Sequence, residues 1–256
     1  MRRSNPPPEI ARRCVAYAYH AGRCCWLLPF RAAAVTTDAP VEPHMRLANV
    51  PADRLTVALT LDACPGAFDE RIALALVESR IPATIFVTAV WMHRNPGALT
   101  FLLANKDLFA IENHGAQHIA PVFGVHTIYG IPVAGNPDTA RREVIDGATA
   151  IQARTGVAPR WYRAATGFYS PSAIPMIQQL GFSIGAYSFS ADQGASLPAA
   201  AVASRITKAS NGDVIVAHIN QPHRPSGAGV VLGIRELQRR GARFVRLDQT
   251  ADLPLS

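Results

Sequence analysis

Beyond about residue 54 the chain alternates short runs rich in Val, Ile, Phe and Tyr with longer stretches in which apolar residues recur at helical spacing. The runs that read as strands are LTVALTL (55–61), ATIFVT (83–88), LFAIEN (108–113), RWYRAA (160–165), FSIGAYSF (182–189), DVIVAHI (213–219) and ARFVRLD (242–248). Between them, helices are predicted over 69–80, 96–106, 137–155, 170–180, 198–209 and 229–240, several opened by Pro, Asp or Ser and closed near Gly. Such alternation predicts an α/β fold of parallel strands joined by crossover helices. Seven strands in order predict a closed or nearly closed parallel β/α barrel, with an open doubly wound sheet as the alternative.

Composition adds little to this. Of the 256 residues, 49% are hydrophobic and 17% charged, enough for a sizeable core. The net charge of +7 is uneven, since residues 1–50 carry seven Arg against three acids. No basic run is interleaved with aromatics, so the charge gives no support to nucleic-acid binding. We therefore divide the chain into an N-terminal extension over 1–50 and one domain over 51–256. The extension, with its Arg pairs and short apolar patch, reads either as a degenerate export signal, interrupted by Arg23 and Arg31, or as a disordered arm. An exported and a cytoplasmic location both stay open, as does the oligomeric state. No apolar run approaches the ~20 residues needed to span a membrane. Cys14, Cys24 and Cys25 lie in the extension and only Cys64 in the body, which makes no disulfide framework.

Chemistry in a parallel barrel gathers where the strands end at their C-termini, and the reactive side chains fall there. Asp62 follows the first strand, His114 and His118 the third and Asp192 the fifth; Arg163 closes the fourth and His218 the sixth. Each also has an ordinary structural duty open to it, as a turn cap, an ion-pair partner or a core histidine. His114 and His118, four residues apart, have a spacing that lets two imidazoles grip one metal ion.

In order, these segments resemble the motifs of the polysaccharide deacetylase family, metal-dependent carbohydrate esterases with a NodB-like domain. The matching pieces are Thr60-Leu61-Asp62-Ala63-Cys64-Pro65, the pair His114 and His118, Arg163 to Phe168, the stretch YSFSADQG containing Asp192, and Val216-Ala217-His218, with RIPATIFVT between the first two. The resemblance implies a distorted seven-stranded barrel and hydrolysis of an N-acetyl group on a carbohydrate or related amide. It implies a divalent metal, zinc, on His114 and His118, with Asp62 as base, His218 as acid, and Arg163 orienting Asp62 or pairing with Asp192. The chain departs from the family at Ala63, where the usual second acid is a metal ligand, and it lacks the Trp of the fourth motif. Asp62 itself, Cys64, Asp69 or water stands in for that ligand, and the sequence reading favours Asp62. A catalytically weak or inactive glycan-binding pseudoenzyme of the same fold is the alternative.

Residues 124–140 read as a long Gly- and Pro-containing loop beside the histidine pair. Trp91, Trp161, Tyr129, Phe168 and Tyr169 are the aromatic candidates for sugar stacking.

Overall fold

The first strand, β1 (Thr56–Ala63), is buried along its whole length. A computed structural model describes residues 39–249. The three cysteines expected in the extension lie outside them. Both faces of β1 are covered, as expected for a central parallel strand, and its polar and small residues alternate with larger apolar ones although all are buried. Val57, Leu59, Leu61 and Ala63 pack among the outer helices, whereas Ala58 belongs to a second apolar cluster inside the barrel. Thr60 and Asp62 share that inner face by period-two alternation.

Next come α1 (Glu70–Glu78), β2 (Ala83–Val87), α2 (Ala89–Arg94), α3 (Pro96–Ala104) and β3 (Phe109–Asn113). The short helix α2, capped by the Thr88 hydroxyl, was not apparent in the sequence. Then follow β4 (Ala120–Phe123), β5 (Thr127–Ile128), β6 (Ile131–Gly135), α4 (Pro137–Thr155), β7 (Trp161–Tyr162), α5 (Ala173–Gln179), β8 (Ser183–Ile184) and β9 (Phe189–Ser190). The chain closes with α6 (Ala199–Thr207), β10 (Val214–His218), α7 (Ser226–Arg239) and β11 (Arg243–Val245).

The main sheet runs β8-β7-β3-β2-β1-β10-β9, and β11 pairs with the start of β1. Every pairing in it is parallel. The expected parallel barrel is thus present, with one refinement that brings the sheet, β11 included, to eight strands. The fifth expected strand, 182–189, divides into β8 at one edge of the sheet and β9 at the other. Only residues 185–188 separate them, a reach of no more than about 17 Å, so the sheet must curl until its edges nearly meet. Gly185 permits the crossing: a Cβ there would lie 2.6 Å from the Phe86 ring.

Residues 41–47 run beside this seam. Val41 and Tyr169 exchange backbone bonds, Met45 N–H donates to the Tyr187 carbonyl, and Leu47 N–H donates to the Gly212 carbonyl. Met45 and Leu47 are buried in the inner cluster.

The expected loop over 124–140 is instead part of a second, three-stranded sheet of order β4-β6-β5, followed directly by α4. Tyr129 and Gly130 form the β5–β6 turn with φ of 52° and 75°, the two positive values of a type I′ hairpin. Strands of two to five residues interrupted by Gly and Pro leave too little periodicity to read. No helix among the described residues is long and apolar enough to cross a membrane.

Candidate active site

The C-terminal end of β1 presents Asp62, whose register partner on β10 is His218. Each has its own orienting group. The Arg163 guanidinium donates to Asp62 Oδ1 at 2.7 Å, to Thr60 Oγ1 at 2.8 Å and to the carbonyls of Gly185 and Ala186 at 2.6 and 3.2 Å. It lies 4.1 Å over the Phe86 ring and is fully buried. Arg163 therefore ties the C-terminal end of β1 to the segment that crosses the seam. Burial acts to raise the Asp62 pKa, but Arg163, His114 and His218 outweigh it and hold the carboxyl below its usual range.

Asp192, wholly buried, holds His218 at two points. It accepts the His218 backbone N–H at 2.7 Å, and its other oxygen lies 2.8 Å from Nδ1. An acid at that distance fixes Nδ1 as the donor and leaves Nε2 for the cleft. Burial opposes protonation of the imidazole, yet Asp192 and then Cys64 draw its pKa well above the ordinary value.

His114 follows β3 and donates from Nδ1 to the Arg163 carbonyl at 2.9 Å, so its Nε2 carries the lone pair. Cys64 Sγ lies 3.4 Å from that nitrogen. The His118 ring stands 5.0 Å from the His114 ring, centroid to centroid. One donor atom from each of Cys64, His114 and His118 falls within 4.8 Å of the others. Two imidazole nitrogens and a sulfur suit a divalent ion such as zinc. Asp62, expected as a ligand as well as a base, falls outside this convergent set; its Oδ2 is 3.9 Å from His114 Nε2. Asp69 is engaged elsewhere, capping α1 and pairing with Arg71. Ala63 points into the helix-facing core.

The histidine loop rests on a residue that the sequence reading missed. The buried Glu143 carboxylate on α4 accepts the backbone N–H groups of Gln117, at 2.9 and 3.0 Å, and of Ile119, at 3.1 Å. These bonds flank His118, which sits in the left-handed region with φ 66°. Gly115 lies so close that an added Cβ would be 2.2 Å from Glu143 Oε1. A signal was available: Ala140, Glu143, Val144, Gly147 and Ile151 form the buried stripe of α4, and one member of that helical spacing is a carboxylate.

Above these groups opens a cleft of about 980 Å³, lined also by Glu42, Tyr129, Tyr187, Asn220 and Arg224. Of the aromatic candidates, Trp91, Trp161 and Tyr169 are buried and unavailable to a ligand. Tyr129 is 82% exposed and packs edge-on against Phe168 at 5.9 Å.

A profile of the polysaccharide deacetylase family matches residues 49–185. No curated protein matches the chain. Among solved structures, the fold resembles a peptidoglycan N-acetylglucosamine deacetylase, Bc1960, with 22% identity, 79% of this chain and 92% of that one covered, and a TM-score of 0.65. It resembles the Bacillus subtilis peptidoglycan deacetylase PdaC with 20% identity, coverage of 78% and 91%, and a TM-score of 0.64. It also resembles Bacillus anthracis BA3943, a pseudoenzyme of carbohydrate esterase family 4, with 16% identity, coverage of 78% and 68%, and a TM-score of 0.61. With the profile spanning more than half its length, the chain belongs to the polysaccharide deacetylase family.

Proposed function

We propose that this protein is a metal-dependent hydrolase that removes N-acetyl groups from a carbohydrate. The observation that carries the reading is the register pairing of Asp62 with His218, each oriented by a buried partner of opposite charge, beside a convergent set of metal-type donors. His114 and His118 would hold a divalent ion, which when bound would supply a Lewis acid for the acyl carbonyl and acidify water.

The chain's own groups do the rest. Asp62, kept ionised by Arg163, takes the proton of the attacking water, and its Oδ2 is the oxygen left free by the arginine. His218 gives its Nε2 proton to the departing amine as the C–N bond breaks, and Asp192 stabilises the imidazolium without moving. The products are acetate and the free amine. Glu143 keeps His118 in place from behind, and the cleft has room for more than one sugar ring.

A second reading, a glycan-binding pseudoenzyme, is favoured by Ala63, which offers no carboxylate where the family uses one, and by the existence of an inactive protein of this fold. Acetate release from N-acetylglucosamine oligomers and peptidoglycan, with and without chelator, separates the two. Chelator-sensitive release supports the hydrolase; glycan binding with no acetate overturns it.

A further inference from the structure

We propose that Cys64 is a ligand of the metal centre, filling with a thiolate the coordination position that Ala63 leaves open. This rests on the reading that the centre holds a divalent ion, and it names a donor that the family motif does not contain.

Strand geometry explains the choice. Side chains alternate along β1, so Ala63 faces the outer helices while Asp62 and Cys64 share the mouth side. With Asp62 Oδ1 committed to Arg163, the next side chain on that face is Cys64. A tetrahedral zinc with bonds of about 2.3 Å to sulfur and about 2.0–2.1 Å to nitrogen has donor-to-donor edges of about 3.3–3.6 Å. The separation of Cys64 Sγ from His114 Nε2, 3.4 Å, is such an edge. The His114 tautomer agrees, because its Nδ1 donates to the Arg163 carbonyl and only Nε2 is left to bind. Cys64 also lies outside the apolar clusters that would house a cysteine serving as a small hydrophobe. A soft sulfur donor beside two imidazoles selects zinc over the hard cations manganese and magnesium.

Cobalt(II) substitution of the full-length protein tests this, since cobalt bound to thiolate gives an intense near-ultraviolet charge-transfer band and its visible bands report binding by any ligand. We expect the wild type to show the charge-transfer band and both Cys64→Ser and His114→Ala to lose it. The double requirement separates the site from cobalt held by Cys14, Cys24 or Cys25. Cys64→Ser should keep its fold by circular dichroism, and its zinc affinity, measured by competition with a chromophoric chelator, should fall at least about tenfold. Cys64→Asp should shift preference from zinc toward manganese.

Stoichiometric cobalt without a charge-transfer band, or zinc affinity unchanged in Cys64→Ser, would overturn the role of Cys64 while leaving a histidine-held metal intact. Failure of the wild type to bind cobalt or zinc would overturn both readings.

Discussion

Replacing Glu143 by Ala isolates the support behind the histidine loop. The substitution strips the acceptor from two backbone N–H groups, those of Gln117 and Ile119. Each donor left without a partner costs about 1–3 kcal/mol. Gln117 is exposed and can recover water, so the cost rests mainly on Ile119 and totals about 1–3 kcal/mol. For a domain of this size that corresponds to a fall in Tm of about 2–12 °C. His118, a non-glycine residue at φ 66°, then loses the bonds that hold it in a region costing about 1–3 kcal/mol. Metal affinity should drop with stability. Thermal unfolding by circular dichroism and zinc competition on the same sample read the two effects, and Gly115→Ala, which pushes on the Glu143 carboxylate from the other side, should reproduce both. A Glu143→Ala protein that melts with the wild type and keeps its zinc affinity would refute the argument.

Other consequences can be checked alongside. Asp192→Asn removes the charge that fixes His218 and should lower kcat by about 100-fold or more while glycan binding, followed calorimetrically, is kept. Glu112 is 4% exposed and burial, outweighing the N–H groups of Trp161 and Arg160, pushes its pKa from 4.5 up to about 7. A carboxyl raised on folding adds stability that is full below pH 4.5 and lost as pH rises through 7, about 3 kcal/mol in all. Glu112→Gln should flatten that loss in denaturant melts taken across the window; an identical pH slope in the variant would refute it. Tyr129→Ala removes the exposed ring from the cleft rim and should raise KM for oligosaccharides about three- to tenfold with kcat unchanged.

Much of this molecule was readable from the chain because parallel strands buried on both faces leave continuous apolar runs and crossover helices leave caps. The helix over 137–155 has the bounds its Asn136 cap and trailing Gly156 suggest. The segment 182–189 reads as one strand although β8 and β9 lie at opposite edges of the sheet, because Gly185 and the flanking serines do not by themselves mark a change of partner. What marks it is the contact between Gly185 and Phe86, a long-range fact. The site residues Asp62, His114, Arg163, Asp192 and His218 stand together at the mouth, as the positions of the strand ends implied. The donor cluster was less legible, since the convergence of Cys64 with His114 and His118 is a long-range fact, and Glu143 was hidden among the charged residues of α4. Trp91 and Trp161 illustrate the same limit: an aromatic in a strand or helix does not announce which face is covered.

The central question is whether the Asp62–His218 pair performs hydrolysis beside a bound metal. Acetate released from N-acetylglucosamine oligomers by metal-stripped protein, before and after adding one equivalent of zinc, with wild type and Asp62→Asn in parallel, measures this directly. Release is expected only from zinc-restored wild type, with Asp62→Asn still binding zinc. Glycan bound by zinc-loaded wild type with no acetate formed, or equal release by Asp62→Asn, would contradict it.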